Sequence, residues 1–421
     1  MSSIAAHEVL ASEMRVADGL CFRHSLSGQR VSDAIERHGV DFRDRAFPPD
    51  ITLMAYCGQV ISPKSSCREA VAKVNRDREV RGLPRVSDST SAYSQARGRI
   101  PLGLIQDLAR TTAQTLEASC PTPWLWKEHH VKLVDGTTIS MPDTPSNQAK
   151  WPQHGQQDVG VGFPIVRCVG LISLATGACL DFAYGPFQGK ETGEHALFRQ
   201  LHGSIKFGDV VLADCYYSSY FLMAELTDKG AFLVSRLHGS RDADFREGQR
   251  LGDGDHIVVL KKPPRPKWMS QEVYDETMDE LRVREIKVGY KDDEGRDVVV
   301  VTTLLDPEKY TKSELIGAYK LRWNVELDLR SLKTVMGMDI LSCQTPDMID
   351  KEIWTYILAY NLLRELIAIA AERHKNEPRD ISFTGAICVF NAYLPLLLHA
   401  PNPEFGKRMY DAMIDQIAGQ K

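Results

Sequence analysis

Over roughly the first 115 residues, apolar positions recur with helical spacing, most clearly at 51–61, 67–78 and 101–116. Ser87, Asp88, Ser89 and Thr90 offer capping side chains for a short helix at 91–97, which Gly98 and Pro101 would end. The pattern changes at Pro121-Thr122-Pro123. Residues 131–134 form an apolar strand running into Asp135-Gly136, which places Asp135 just past the strand's C-terminal end. Stretches 164–174 and 178–184, joined by Ala175-Thr176-Gly177, predict a hairpin. A helix at 191–202 follows, then a buried strand at 209–213 that delivers Asp214, a helix at 219–228 and a strand at 231–236.

From about 237 to 307 the chain reads as a separate β-leaning segment, with strands at 257–260, 281–288 and 298–305 and a basic, Pro-rich run at 261–267. Helices return at 313–336 and continue to the end, with 352–371 strongly apolar on one side. This order predicts an α/β protein: a mixed sheet covered by helices, with an antiparallel hairpin at its front. The organisation expected is a helical N-terminal region over 1–118 and a catalytic domain over 119–421. The latter carries a β-rich insertion at about 237–307 and C-terminal helices at about 345–421.

Composition narrows the class. With 421 residues, 43% hydrophobic and 25% charged, the chain suits an ordinary globular protein. The first twenty residues contain acids and no long apolar stretch, which excludes a secretory signal; the apolar run at 394–400 is too short to span a bilayer, so no membrane partner is expected. Nine cysteines lacking a CxxC pair argue against structural zinc or a disulfide framework and for a reducing cytoplasm. The net charge is −5, yet residues 64–110 hold ten Lys/Arg against five acids; that segment is +5 and the remainder −10. A basic module joined to an acidic one suits a DNA binder attached to a metal-binding domain.

Two aspartates each follow an apolar strand, in Val-Lys-Leu-Val-Asp135-Gly and Val-Val-Leu-Ala-Asp214. One such Asp is ordinarily a turn residue or helix cap, but a pair can converge on a divalent ion. The third element is Tyr319-Lys-Leu-Arg322-Trp-Asn-Val-Glu326, continuing to Lys333. On one straight helix Tyr319, Arg322, Glu326 and Lys333 fall within an arc of about 60°, beside a separate apolar stripe of Leu321, Val325, Leu329, Leu332 and Val335. A carboxylate flanked by two cations suits metal and phosphate; the plain alternative is an Arg322–Glu326 pair on a solvated face.

The spacing Y-x2-R-x3-E-x6-K resembles the signature of bacterial insertion-sequence transposases of the insertion-sequence-four type, a branch of the DDE transposases. Asp135-Gly136-Thr137 matches that family's strand-DG[ST] context for the first acid. Ala213-Asp214-Cys-Tyr-Tyr217 matches the second. The resemblance implies a ribonuclease-H-like core, with a β-rich insertion in the 112-residue step from Asp214 to Glu326. It implies two Mg²⁺ ions, with Mn²⁺ able to substitute, held by Asp135, Asp214 and Glu326. It also implies that Tyr319, Arg322 and Lys333 grip the DNA backbone, with Arg236 a further basic contact at the end of its strand.

The activity so implied is cut-and-paste transposition: nicking at the element end, a hairpin on the flanking cut, and strand transfer. The partners are double-stranded DNA, as inverted-repeat ends and target, and a second copy of the chain in a synaptic homodimer. The setting is the bacterial cytoplasm, with nucleoid association when bound. A structure-specific nuclease of the same fold and a domesticated DNA-binding relic are the alternatives. Trp268 by the basic run could stack on a base, although packing accounts for it; Glu194 and His195 read as capping or salt-bridging residues, and His129-His130 as an exposed strand edge.

Overall fold

The computed structural model describes residue 26 and residues 28–40, 47–62, 66–80, 82–156, 158, 160–291 and 295–421. The reading of the first twenty residues, and the cations Lys64 and Arg81, lie outside the described residues. Nine strands form one mixed sheet: β1 (Val131–Ser140), β2 (Ile165–Ser173), β3 (Cys179–Pro186), β4 (Val210–Ala213), β5 (Phe232–Arg236), β6 (Gln249–Gly252), β7 (Asp255–Lys261), β8 (Glu280–Lys291) and β9 (Asp297–Thr302). Their order is β3-β2-β1-β4-β5-β9-β8-β7-β6. The pairs β1/β2 and β2/β3 are antiparallel, while β4 and β5 run parallel to β1. This is the ribonuclease-H-like arrangement that the resemblance implied.

Three local readings need correction. Asp135 does not lie past the end of its strand. β2 stays in register along the whole of β1, so Asp135 pairs with Gly170 in mid-strand, and β1 continues to Ser140. The β-leaning segment after residue 237 is not set apart from the sheet. β9 pairs antiparallel with β5, and β8, β7 and β6 extend the same sheet from there. The helix expected at 191–202 is shorter, Glu194–Gln200, because a 3₁₀ turn at His202–Ser204 follows it.

Side-chain alternation splits the core across the sheet. Leu133, Ile139, Val210 and Leu212 pack with Val325, Leu329 and the long helix Pro346–His374; Val134, Val211 and Ala213 pack with Leu197, Phe198 and Leu222. The first of these cores also takes in Leu53, Val71 and Leu104 from the N-terminal helices, and the helix Leu102–Ala118 packs along the long helix. That long helix is apolar and long enough to cross a membrane by length and composition, unlike any run singled out in the sequence. Yet 89% of its most apolar window is buried in protein, as in a core helix.

Several cations of the basic segment are occupied within the fold. Arg97 is buried against Tyr56 and Tyr93, Arg110 pairs with Asp181 of β3, Arg85 with Glu79 and Asp88, and Lys73 with Glu69. Arg68, Arg76 and Arg99 remain exposed. The pair His129-His130 is half-buried instead of exposed: His129 bonds Gly208 O and the Tyr310 hydroxyl, each at 2.7 Å, and His130 meets Glu117 at 3.1 Å.

The β2–β3 turn is anchored from outside. Gly177 has φ +74°, and a Cβ there would stand 2.7 Å from the Arg364 guanidinium carbon. Arg379 donates to Leu174 O and Ser173 O, and the Tyr360 hydroxyl to Gly177 O. Arg364 and Arg379 both pair with Asp328, whose side chain is fully buried. Removing one member of such a buried group strands the others. Asp328→Ala is therefore expected to destabilise the protein by about 3–5 kcal/mol, read as a shift in urea midpoint; a change within error would show that the node is dispensable.

Glu365 on the long helix has an Oε2 shut from solvent with no hydrogen-bond partner. Burial pushes its carboxyl up to about 7, with Arg30 opposing at 3.8 Å. Since the folded pKa exceeds the unfolded one, the native state binds the extra proton between about pH 4.5 and 7, and stability falls as pH rises through that window. Glu365→Gln should flatten this decline in thermal melts taken from pH 4.5 to 8. Parallel curves for the two proteins would refute it.

Candidate active site

Asp135 projects from β1 on the face covered by the helix Asn324–Arg330, as the alternation from Leu133 requires. That helix lies directly on the strand pair. Leu329 reaches the spot above Gly170, the partner of Asp135, where a Cβ would stand 3.6 Å from Leu329 Cδ2. Asp214 leaves the end of β4 and caps a 3₁₀ turn, its Oδ1 accepting from Tyr216 N at 2.8 Å; Asp135 Oδ1 accepts from Gly136 N at 2.8 Å. Each aspartate thus does serve its turn or strand locally, with one oxygen, and keeps the second for the site.

Arg322 joins the first and third acids. Its guanidinium lies 3.9 Å from Asp135 Oδ2 and 3.2 Å from Glu326 Oε1. Burial and the neighbouring Asp214 and Glu326 charges hold the Asp135 carboxyl up at about 6, although the Gly136 amide and Arg322 work the other way. The three carboxylates are therefore close enough to repel one another, with a single guanidinium between them. They do not close on a common point: among the described residues, no group of three or more His, Cys, Asp or Glu has metal-holding geometry. Mutual repulsion and the interposed Arg322 account for that spacing.

The ridge expected on one straight helix is instead bent in two places. The helix Lys312–Leu321, started by a Thr311/Glu314 capping box, ends at Arg322; the next begins at Asn324 and passes into a π-helical turn, Ser331–Val335. At the first bend the amides of Arg322, Trp323, Val325 and Glu326 each reach back three residues, a tighter 3₁₀ step. Leu321, placed in the apolar stripe by the straight-helix reading, is accordingly exposed.

Of the other site residues expected from sequence, Tyr319 is half-buried and its phenol feels both Arg322 and Arg236, which brings the end of β5 to the same place. Lys333, in the π turn, lies near Cys168 of β2, the backbone partner of Thr137. Trp268 is part-exposed and carries Arg199 over its ring at 4.1 Å, with Phe221 at its edge. Trp323 and Leu327, on either side of Glu326 in the sequence, are both exposed.

Sequence reasoning passed over Glu194. It starts its helix, but its carboxyl group lies across Gly136, where a Cβ would stand 2.4 Å from Glu194 Cδ. The available signal was the glycine following Asp135. His195, beside it, bonds Tyr216 O at 2.6 Å.

A ribonuclease-H-like sheet with three acids at the β1/β4 edge, and cations around them, can hold hard metal ions and phosphates. Comparison with known proteins agrees. Residues 126–362, more than half of the chain, match the Transposase DDE domain family. The transposase InsG of insertion sequence element IS4, from Escherichia coli K12, is 26% identical over 85% of this chain and 79% of its own length. The putative transposase InsZ, also from Escherichia coli K12, is 26% identical over 33% of this chain and 46% of its own. A cryo-EM structure of the piggyBac transposase synaptic complex with hairpin DNA superposes with TM-score 0.44 at 11% identity, covering 94% of this chain and 84% of that one. Enzymes of the DDE family act on DNA with divalent metal. The chain belongs to the DDE transposase family, in its insertion-sequence-four branch, and is a DNA transposase.

Proposed function

We propose that Asp135, Asp214 and Glu326 are the catalytic carboxylates of this transposase and that together they hold two Mg²⁺ ions, for which Mn²⁺ can substitute. The observation that carries the reading is the raised Asp135 carboxyl, which buried, mutually repelling acids produce and a bound cation would relieve. The donor set fits: carboxylate oxygens are hard ligands of the kind Mg²⁺ takes. When bound, such an ion pair stabilises the attacking and leaving oxygens of an in-line phosphoryl transfer.

The remaining residues handle DNA. Arg322, placed between two acids, can turn its fork to a phosphate, while Tyr319, Lys333 and Arg236 surround the same edge. The reaction assigned is cut-and-paste transposition of an insertion sequence: cleavage at inverted-repeat ends to leave a 3′-hydroxyl, a flanking hairpin, and transfer of the freed end to target DNA. The described part of the N-terminal helical region, within 1–118, offers exposed Arg68, Arg76 and Arg99 for end binding. Assembly as a homodimer on paired ends, within the bacterial cytoplasm and nucleoid, completes the proposal; the half-exposed apolar end of the helix Phe383–Leu398, including Leu396, supports a contact between copies.

A labelled duplex carrying the source element's inverted-repeat end tests the reading. Asp135→Ala, Asp214→Ala and Glu326→Ala should each lower Mg²⁺-dependent cleavage by about a thousand-fold or more, a loss of several kcal/mol of transition-state stabilisation, while end binding persists. Cleavage by any of the three at the wild-type rate would remove that residue from the triad. Failure of the wild type to cut in Mg²⁺ or Mn²⁺ despite tight binding would favour a DNA-binding relic. Cutting without joining of pre-cleaved ends would favour a nuclease.

Lys333→Ala should weaken end binding equally for all sequences and reduce the slope of log K against log salt by about 0.9, one phosphate contact. An unchanged slope would take Lys333 off the backbone.

A further inference from the structure

Glu194 opens the helix Glu194–Gln200, which packs on β2 and β3 from the sheet face that holds Leu197 and Phe198. Asp135 and Glu326 lie toward the other face, with Leu133 and Val325. The Glu194 carboxyl nevertheless reaches β1. A Cβ on residue 136 would stand 2.4 Å from its Cδ, 2.5 Å from Oε1 and 2.8 Å from Oε2, so this close approach exists only because residue 136 is glycine.

The Tyr217 hydroxyl, three residues after Asp214, donates to Glu194 Oε2 at 3.3 Å. Half-burial and the Asp214 charge raise the Glu194 carboxyl, and Arg167 of β2 offsets part of that. An acidic residue in a helix's first turn is ordinary and gains from the helix dipole. Such a role asks the carboxylate to face its own helix's amides. It does not ask for a neighbouring strand with no side chain at the point of contact, one residue from Asp135.

We propose that Glu194 is a fourth carboxylate of the catalytic centre, facing the divalent cation at Asp135 and Asp214 from the opposite side of β1 to Glu326. The proposal rests on the assignment of Asp135, Asp214 and Glu326 made above. Charge favours it. Three carboxylates and Arg322 carry −2 against the +4 of two divalent ions, whereas a fourth carboxylate brings the protein's share to −3 before any phosphate arrives. Tyr217 and Arg167 act as positioning residues that hold the carboxylate over Gly136.

The test is Mn²⁺ binding to the full-length protein, read from the electron paramagnetic resonance of free Mn²⁺ without DNA or turnover. The proteins are the wild type, Asp135→Asn, Glu194→Gln and Glu194→Asp, each with a melting curve to establish folding. Glu194→Gln should bind Mn²⁺ about 10- to 100-fold more weakly, and its end cleavage should recover as metal concentration is raised by the same factor. Glu194→Asp, which keeps the charge but draws it back by one methylene, should fall between; it also decides the matter if the Gln variant does not fold. Wild-type Mn²⁺ affinity in folded Glu194→Gln or Glu194→Asp, alongside loss in Asp135→Asn, overturns the fourth carboxylate and leaves the triad standing. Undiminished affinity in Asp135→Asn as well overturns both assignments.

Discussion

Everything at the candidate site depends on a carboxylate that never meets it. Asp328 is fully buried and is held by Arg364, by both oxygens' contacts to Arg379, and by the Tyr360 hydroxyl at 3.2 Å. A lone buried charge of this kind would cost several kcal/mol, so these partners must be present together. Two come from the long helix Pro346–His374 and the third from the segment after it, while Arg379, Arg364 and Tyr360 also secure the β2–β3 turn. Asp328 follows Glu326 by two residues, about 200° around the helix. Locking Asp328 into the core therefore turns Glu326 outward, and Leu329 on Gly170 sets the helix over Asp135.

The bends in that helix follow from the same clamp. A straight helix from Lys312 to Val335 would have to satisfy both the capping box at its start and the buried Asp328. The chain instead tightens by a 3₁₀ step around Arg322 and loosens by a π turn after Arg330. Ser331 contributes at the second bend, its hydroxyl donating to Leu327 O at 2.9 Å, a bond that competes with the backbone ladder. Gly337, at φ +85°, then ends the segment. Arg322 thus stands at the tight bend, next to Asp135, and Lys333 within the wide one, next to β2.

This division explains what could be read in advance. Strand order, the β2–β3 turn and the two strand-borne aspartates are local signals, written in apolar runs and turn residues, and they were legible. Asp135's place in mid-strand was not, because it depends on β2 continuing its register past Gly170, a long-range pairing. The attachment of β9 to β5 is likewise set by a partner 66 residues away in the Val234–Thr302, Ser235–Val301 and Arg236–Val300 pairs at its closest, and no local pattern records it. Charge counting failed for a related reason. Arg97 and Arg110 look like surface cations in sequence and are consumed by Tyr56, Tyr93 and Asp181 once the helices pack. Glu194 shows the converse: as a first-turn acid it looked structural, and only the empty space above Gly136 reveals where its carboxylate goes.

The Arg322–Glu326 pair, the plainest alternative to a functional ridge, is present. It does not compete with the functional reading. Gathered acids need positive charge to coexist, and a guanidinium between Asp135 and Glu326 supplies some of it within the protein. On the proposed function, cations take over the carboxylates when DNA and metal are bound, and the same guanidinium becomes available to a phosphate without moving its backbone. One residue then serves the resting site as a counterion and the loaded site as a clamp. Arginine suits both states because its charge is permanent and its planar fork matches carboxylate and phosphate alike. Lysine, with a point charge on a flexible stem, would hold neither partner in two places at once.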